Sequence, residues 1–330
     1  MGKLQKVALT GALATAAATV AYYEKKIKHR SYSGIEDIPE GRASRNITEG
    51  CLAVEGGSLR GLYASGVLDA FMLNDINLRT YIGVSAGAMC GFSYISGQIG
   101  RTARFNLSNR FNQQYIGLLA YAENLSPFGF KYAFSDRSNV EKFDMDRFME
   151  EDRRYIAVAT DIDSVEPVYF EKGHTEDIFM AIRASATLPT VSRPVTIDGH
   201  KYLDGGVTVN IPYRWPVDQD FEKIVVVRTR EPSFRKVNAD AALVPVMEQI
   251  YKSRPRLVEA LKDESDRYNR EVEELNALQE EGRVYVIAPS EHVTVTRMEN
   301  DIEKIGSLYL LGLSDGFKQA DAVKEYLGIR

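Results

Sequence analysis

Residues that commonly bind metals or form disulfides are scarce in this chain. It has two cysteines and four histidines in 330 residues, and neither residue type falls at the spacings typical of zinc sites. We therefore predict no metal site and no cofactor. Cys51 and Cys90 lie in apolar stretches, which favours reduced thiols and a cytoplasmic location.

The chain also lacks a basic excess and a hydrophobic run long enough to span a membrane. Its formal net charge is -5, which argues against a general nucleic-acid-binding protein. The uncharged stretch at residues 7–22 is shorter than the roughly 20 residues that cross a bilayer, and its alanines are only weakly apolar. With 44% hydrophobic and 26% charged residues, the chain has an ordinary globular composition.

The N-terminal residues 1–46 are predicted to be separate from a domain at residues 47–330. Basic residues flank the 7–22 stretch on both sides, and residues 31–46 have the polar, Gly/Pro-punctuated composition of a linker. Three interpretations of the first 30 residues stay open: a helix lying on a membrane, a secretory signal segment and a plain leader helix. The first of these predicts peripheral membrane contact.

The pattern Gly-x-Ser-x-Gly occurs twice, in different contexts. The segment Gly83–Gly87 follows an apolar strand and precedes an apolar helix. In such a turn a serine adopts a strained backbone conformation and projects at a helix N-terminus, which favours negative charge. Gly312–Gly316 instead joins two apolar-periodic segments and predicts a helix C-cap followed by an N-cap. Ser85 is therefore the candidate nucleophile.

A nucleophilic serine needs donors for the oxyanion and a base. The candidate oxyanion turn stands before a predicted helix and comprises Gly56, Gly57, Ser58, Arg60 and Gly61. Its backbone N–H groups can point at one site, and the arginine adds positive charge. A nucleotide-phosphate cradle is disfavoured because a serine stands where Gly-x-Gly-x-x-Gly requires its second glycine. A tight turn without function is the other interpretation.

Asp204 is the candidate base. It lies at a strand end before Gly205 and Gly206, whose small size lets another loop approach closely. A carboxylate there accepts the proton of Ser85 if partial burial raises its pKa. The alternative is a structural Asx-turn.

The order of apolar segments predicts an α/β fold. Strand, glycine turn, helix, strand, nucleophile and helix follow each other from Cys51 to about Ile95, which is a βαβ unit with both loops at the carboxyl ends of parallel strands. Residues 101–135 are rich in aromatic side chains without a single period. We interpret them either as helices that pack on the core with an aromatic loop, or as an acyl-chain pocket or lid.

Three motifs in this order and spacing resemble the patatin-like phospholipases: Gly56-Gly-Ser-Leu-Arg-Gly61, Gly83-Val-Ser-Ala-Gly87 and Asp204-Gly205-Gly206. Arg183-Ala-Ser-Ala-Thr-Leu-Pro189 is similar to the segment before the family's aspartate motif.

The resemblance implies a three-layer sandwich with a mainly parallel central sheet flanked by helices. It also implies hydrolysis of phospholipids or other ester lipids by a dyad of Ser85 and Asp204 without histidine. Gly83, Gly87, Gly205 and Gly206 would be the glycines of the elbow and of the aspartate motif. One departure is Ser58, which stands where the family usually has a third glycine, so a positive φ there would strain the backbone.

Two other functions stay open. The chain order Ser85, Asp204, His292 is also that of an α/β-hydrolase triad. Alternatively, the protein is a non-catalytic lipid-binding module with the same fold.

Overall fold

The computed structural model describes residues 30–135, 140–237 and 244–329. The strands are β1 (Gly41–Arg42), β2 (Thr48–Val54), β3 (Leu78–Val84), β4 (Gln98–Ile99), β5 (Arg154–Asp161), β6 (Pro167–Glu171), β7 (Val195–Ile197), β8 (His200–Asp204), β9 (Ile224–Val227) and β10 (Tyr285–Ile287). The α-helices are α1 (Gly61–Leu73), α2 (Ala86–Ile95), α3 (Arg101–Asn109), α4 (Leu118–Asn124), α5 (Phe130–Ala133), α6 (Met145–Met149), α7 (Ile178–Ser185), α8 (Arg214–Asp218), α9 (Val244–Ile250), α10 (Pro255–Lys262), α11 (Glu264–Glu280) and α12 (Ile302–Leu327). Short 3-10 turns cover Ile35–Asp37, Ser58–Arg60 and Gly205–Val207.

The main sheet runs in the order β10-β9-β2-β3-β5-β8-β7, and β6 pairs with β5. The five strands from β10 to β5 are mutually parallel, whereas β6, β7 and β8 pair antiparallel. The predicted βαβ unit is confirmed as β2, α1 and β3. The Asp-Gly pair at residues 198 and 199, between two apolar segments, predicts a hairpin, and β7 and β8 form it.

Helices cover both faces of this sheet. Alternate residues of β2 enter different cores: Leu52 and Val54 pack on one side, and Cys51 and Ala53 on the other. The first core includes side chains of α1, α2 and α12, and the second includes those of α11. Continuous burial of successive residues is typical of a parallel strand between two helical layers. The expected three-layer α/β architecture is confirmed.

Strands β3 and β8 meet end to end along one edge of β5. Val84, the last residue of β3, pairs with Val158, and Asp204, the last residue of β8, pairs with Ala159. Strand β6 occupies the other edge of β5. Because β3 runs parallel to β5 and β8 runs antiparallel to it, β3 and β8 approach each other from opposite directions. Their carboxyl ends therefore arrive at the same point.

The C-terminal helix corrects one expectation. Gly312–Gly316 is not a cap-to-cap junction, because α12 runs through it without a break. A Cβ on Gly312 would lie 2.0 Å from the carbonyl oxygen of Tyr63, and one on Gly316 would lie 2.6 Å from the Cβ of Ala70. The glycines let α12 pack closely on α1.

Apolar residues at helical spacing from Leu257 to Leu278 predict a single charged helix before the last strand, and the structure corrects this expectation. The segment consists of two helices, α10 and α11, with Asp263 between them. Their apolar residues include Leu257 and Tyr268, and these enter two different hydrophobic clusters.

The N-terminal leader, residues 1–29, lies outside the described residues. The segment predicted as a linker packs on the body: Tyr32, Ile38 and Ala43 are buried in the main core, and β1 pairs with β4. The boundary near residue 47 stays a prediction. Within the described ranges, no helix has both the length and the apolarity needed to cross a bilayer.

Candidate active site

Ser85 is the residue between β3 and α2, and its backbone is strained. Its φ is 55° and its ψ is -120°, a conformation that a non-glycine residue seldom adopts and that is common at functional sites. The residue is the N-cap of α2, so its side chain lies at the helix end that carries partial positive charge. This is the strand–turn–helix geometry expected of a nucleophile elbow.

Small residues allow this sharp turn. A Cβ on Gly83 would lie 2.5 Å from the carbonyl carbon of Gly87, and one on Gly87 would lie 2.4 Å from the carbonyl oxygen of Val54. Gly205 is equally restricted, with 2.3 Å to the carbonyl oxygen of Val158. Any side chain at these positions would push the strands apart and displace the elbow or the Asp204 turn.

Asp204 contacts Ser85 directly. The hydroxyl Oγ of Ser85 donates to Oδ2 of Asp204 at 2.6 Å, and the backbone N–H of Gly206 donates to Oδ1 at 2.8 Å. Both Ser85 and Asp204 are buried. The meeting of β3 and β8 on β5 brings together two residues that are 119 positions apart.

Burial raises the pKa of Asp204 to about 6, while the hydrogen bonds from Ser85 and Gly206 oppose the rise. More distant charges also act on the pKa of this carboxyl: Arg297 lowers it and Glu264 raises it. A carboxylate that holds its proton more tightly than an exposed aspartate is a better base near neutral pH. The Asx-turn also exists, since Asp204 accepts the Gly206 N–H.

The glycine-rich turn lies against the elbow. A Cβ on Gly56 would lie 3.2 Å from the Cβ of Ser85, and one on Gly61 would lie 2.9 Å from the Cβ of Ala86. Ser58 has a φ of 52°, so the position does require the left-handed conformation that favours glycine. The turn and the elbow therefore face each other, as expected.

Two residues, Arg60 and Ser185, have contacts that the sequence did not predict. Arg60 is buried and its Nε lies 3.4 Å from where a Cβ on Gly57 would be, so its guanidinium packs against the turn. Ser185 was missed: its Oγ accepts the backbone N–H of Ser85 at 2.9 Å. The only signal for Ser185 was a small polar residue in an apolar helix, within a segment that the family resemblance had already marked.

An apolar cavity opens at Ser85. Its empty volume is about 920 Å³, including space open to solvent. The walls come from the glycine-rich turn, α2 and the aromatic segment at residues 101–135. The lining residues include Ser58, Leu59, Leu62, Met89, Phe92, Phe105, Tyr115, Phe128, Phe130, Phe134 and Leu188. The segment 101–135 forms helices that pack on the core and also lines this cavity. Each of the two interpretations, packing helices and a pocket wall, therefore describes part of it.

His292 does not join Ser85 and Asp204 in the structure. Its Nδ1 lies 2.6 Å from Oε1 of Glu231, and three quarters of its side chain is exposed. The hydrogen bonds made by the Asp204 carboxylate within the described ranges go to Ser85 and Gly206. These contacts give no support to a triad.

In the part of the chain that the structure describes, no three side chains of His, Cys, Asp or Glu are grouped so that they could hold a metal ion. Cys51 and Cys90 are both buried and unpaired by disulfide. Burial raises the pKa of both thiols, which keeps them protonated at neutral pH.

Comparison with known proteins gives two family matches. Residues 52–214 match the model of the patatin-like phospholipases, and residues 254–328 match a domain of unknown function. The uncharacterized protein YjjU of Escherichia coli (strain K12) is 29% identical over 54% of this chain and 51% of its own length. The uncharacterized protein R571 of Acanthamoeba polyphaga mimivirus is 26% identical over 53% of this chain and 63% of its own length. The chain thus covers between half and two thirds of each relative.

Among solved structures, VipD from Legionella pneumophila is similar with a TM-score of 0.48 and 13% identity, over 86% of this chain and 70% of that one. A score of this size is too low to establish a shared fold. The match to the family model, in contrast, spans the residues of the glycine-rich turn, the elbow and the Asp204 turn. Residues 52–214 are therefore identified as a patatin-like phospholipase domain.

Proposed function

We propose that this protein is a serine acyl hydrolase that cleaves ester lipids, with Ser85 as nucleophile and Asp204 as base. The observation that carries the proposal is the hydrogen bond of 2.6 Å from Ser85 Oγ to Asp204 Oδ2. A serine at a strained strand-to-helix turn with a buried proton acceptor has the two parts that nucleophilic catalysis needs. Family membership supports lipid esters as the substrate class.

The reaction would proceed in two acyl transfers. Ser85 Oγ attacks the ester carbonyl while Asp204 takes its proton, and the protonated carboxyl then gives that proton to the leaving alcohol oxygen. In the second half, Asp204 takes a proton from a water molecule, which attacks the acyl-enzyme and releases the fatty acid. The regenerated Ser85 receives the proton back from Asp204, so the carboxylate ends as it began.

We assign stabilisation of the oxyanion to the backbone N–H groups of Gly57 and Ser58, because the N–H of Gly56 donates to the carbonyl oxygen of Asn210. Gly56 packs on Ser85, and the left-handed φ of Ser58 bends the chain into the 3-10 turn that precedes α1. Fixed N–H donors next to a carbonyl lower the barrier because they need no reorganisation when the charge forms. Arg60, which packs against Gly57, contributes positive charge.

The apolar cavity is the proposed site of the acyl chain. Its aromatic walls exclude water from the ester and offer a largely apolar surface to a hydrocarbon chain. We further propose that residues 47–330 form one domain, since β9, β10 and α12 complete the same sheet and core as residues 52–214. We also propose that the protein is cytoplasmic and that its first 30 residues provide peripheral contact with a membrane.

Labelling with a fluorophosphonate tests the nucleophile. Wild-type protein should be labelled at Ser85 and should hydrolyse p-nitrophenyl esters. Ser85→Ala should abolish both labelling and turnover. The matched control is Ser314→Ala, which removes the exposed serine of the second Gly-x-Ser-x-Gly segment and should change neither. Labelling that persists in Ser85→Ala would refute the assignment.

Two further outcomes separate the alternatives. A loss of about a thousandfold in turnover on His292→Ala would favour the triad, whereas little change favours the dyad. Binding to liposomes without hydrolysis of any ester, activated esters included, would indicate a non-catalytic lipid-binding module.

A further inference from the structure

The loop after Asp204 connects the proposed base to the glycine-rich turn. It leaves β8 through the 3-10 turn Gly205–Val207 and then reaches Asn210, which is buried. The carbonyl oxygen of Asn210 accepts the backbone N–H of Gly56 at 3.4 Å, and Gly56 packs on Ser85. The direction of this one carbonyl group therefore affects the turn that faces the nucleophile.

The peptide group between Asn210 and Ile211 is held from two sides. Its C=O accepts the N–H of Gly56, and its N–H donates to Oε2 of Glu271 at 3.1 Å. The preceding N–H, that of Asn210, also donates to Glu271, at 3.1 Å to Oε2 and 3.2 Å to Oε1. Because a trans peptide group is planar and its C=O and N–H point in opposite directions, a carboxylate that fixes the N–H also fixes the C=O.

Glu271 is the acceptor on which both N–H groups depend. Among the residues that the structure describes, the backbone N–H groups of Asn210 and Ile211 have no acceptor other than this carboxylate. Asn210 is 6% and Ile211 1% exposed, so water reaches these groups poorly. A buried donor without an acceptor is unfavourable, and the loop would have to move if the carboxylate were removed.

The helix that carries Glu271 makes a further contact with the same loop. Arg267 approaches the carbonyl oxygen of Gly206 with its Nη2 at 3.5 Å, and the N–H of Gly206 donates to the carboxylate of Asp204. Residues four apart lie on the same face of a helix, so Arg267 and Glu271 both face the loop. The apolar side of α11 is buried in the core next to the sheet, which makes the helix a fixed support.

Asn210 is also held by its side chain. Lys236 donates to Oδ1 of Asn210 at 2.9 Å and to the carboxylate of Glu264, the first residue of α11. The ammonium group of Lys236 lies 4.2 Å from the centre of the Tyr268 ring on the same helix. Both the backbone and the side chain of Asn210 are thus bound to α11 or to a residue that packs on it.

These contacts join the two parts of the chain that match different family models. Gly56, Gly206 and Asn210 lie within residues 52–214, the patatin-like part. Arg267 and Glu271 lie within residues 254–328, the part that matches a domain of unknown function. The second part therefore supports a loop on which the geometry of the first depends.

We propose that Glu271 is a positioning residue for the oxyanion turn, and that the C-terminal part of the chain serves the reaction through it. The carboxylate orients the peptide group after Asn210, this peptide group holds Gly56, and Gly56 keeps the next two N–H groups directed at the ester carbonyl. Such donors lower the barrier only while they stay in place, and a displacement of about 1 Å costs about a hundredfold in rate. This inference rests on the proposed function for the role of the turn.

Steady-state hydrolysis of p-nitrophenyl hexanoate tests this role. Glu271→Ala removes the acceptor and should lower kcat by about tenfold to a hundredfold, with KM within about twofold, because the donors move and the acyl cavity does not. Glu271→Gln keeps an acceptor oxygen for both N–H groups and should retain kcat within about threefold. If Glu271→Ala does not fold, Glu271→Asp takes its place, since its shorter side chain withdraws the carboxylate, and should lower kcat by about fivefold or more.

The control is Glu274→Ala, on the same helix. Glu274 accepts the hydroxyl of Tyr213 at 2.7 Å and a hydrogen bond from Arg214, so it holds side chains and not the backbone of Asn210. The control should keep kcat of the folded protein within about twofold of wild type. If the Ala or Asp variant of Glu271 also keeps its kcat, the role of Glu271 is purely structural and the proposal is wrong. A Glu271→Gln variant as slow as Glu271→Ala would equally refute it, because the acceptor oxygen would then not matter.

Hydrogen exchange followed by mass spectrometry measures the positioning without hydrolysis. Peptides that contain Gly56 should exchange about tenfold faster in Glu271→Ala than in wild type, since the N–H of Gly56 loses its fixed acceptor. Peptides from β5 should be unchanged, which separates this local effect from global unfolding. Glu271→Gln and Glu274→Ala should behave as wild type does.

Unchanged exchange at Gly56 in Glu271→Ala would contradict the positioning role whatever the activity. If wild-type protein hydrolyses no ester, the proposed function fails, and the exchange comparison still decides whether Glu271 holds the glycine-rich turn.

Discussion

The chain contains the pattern Gly-x-Ser-x-Gly twice, and the two copies have different structures. Gly83–Gly87 is a sharp turn between a strand and a helix, whereas Gly312–Gly316 is uninterrupted α-helix. Ser85 is buried against a carboxylate, while Ser314 is exposed on α12. The pattern requires only small residues around a serine. The flanking secondary structure determines whether these residues form a sharp turn or a close helix contact.

A buried aspartate is associated with each copy, Asp204 with the first and Asp315 with the second. These two aspartates also differ in what they bind. Asp204 accepts the hydroxyl of Ser85. Asp315 accepts the hydroxyl of Ser290 at 2.6 Å, its N–H at 2.9 Å and the hydroxyl of Tyr63 at 3.1 Å. The first pair lies at a cavity where a substrate can enter, and the second ties α12 to the loop after β10 and to α1.

The largest predicted effect separates these aspartates by function. Asp204→Asn removes the proton acceptor and should lower kcat by about a thousandfold. Asp315→Asn should leave kcat of the folded protein nearly unchanged, but should lower the free energy of unfolding by about 1–3 kcal/mol because it disturbs buried hydrogen bonds. Ester hydrolysis and urea denaturation on both variants measure the two quantities. A comparable loss of kcat in both variants would contradict the distinction.

The next effect concerns the glycines of the second copy. Gly312→Ala places a Cβ 2.0 Å from the carbonyl oxygen of Tyr63, so α12 must move away from α1. We expect a loss of about 2 kcal/mol or more in the free energy of unfolding. Ser314→Ala, on the exposed face of the same helix, is the control and should stay within about 0.5 kcal/mol of wild type. Equal stability of the two variants would show that close helix packing is not the role of Gly312.

The pH dependence of hydrolysis tests the base of the first copy. Because burial raises the pKa of Asp204 to about 6, and because the base must be ionised, kcat/KM should fall about tenfold per pH unit below that value. His292→Ala should show the same inflection, since its ring pairs with Glu231. An inflection that disappears in His292→Ala would favour the triad.

The same pKa has a consequence for stability. An aspartate whose pKa is higher in the folded than in the unfolded protein stabilises the fold at low pH, and that contribution is lost as the pH rises through about 6. At pH 8 the buried, ionised Asp204 therefore lowers the free energy of unfolding. Asp204→Asn should be at least as stable as wild type there, so its loss of activity would not reflect unfolding.

Much of the fold was predictable because its signals are local. The apolar strands β2, β3 and β5 and the glycine turns between elements follow from hydrophobic periodicity and composition. Asp204 could be singled out because it lies at a strand end before two glycines, whose small size lets another loop approach closely. The pairing of Ser85 and Asp204 itself depends on β3 and β8 meeting along β5, which no local pattern encodes.

The parts that the sequence did not predict depend on tertiary contacts. Gly312 and Gly316 have the local signature of a helix end, but the packing of α12 on α1 outweighs the helix propensity of glycine. Ser185 was missed for a related reason. Its contact with the backbone N–H of Ser85 joins two residues that are 100 positions apart in the chain.

The smallest predicted effect is at Ser58, where the glycine-rich turn departs from the family. Its φ of 52° costs a non-glycine residue about 1 kcal/mol, so Ser58→Gly should relieve strain and raise the free energy of unfolding by about that amount. Ser85 must keep its own strained φ to hold the hydroxyl on Asp204, and Ser85→Gly should abolish turnover. If Ser58→Gly preserves or raises kcat while stabilising the protein, the serine is a tolerated replacement in the oxyanion turn. If kcat falls tenfold or more, the Ser58 hydroxyl itself contributes to the site, and the two left-handed serines would then both be functional.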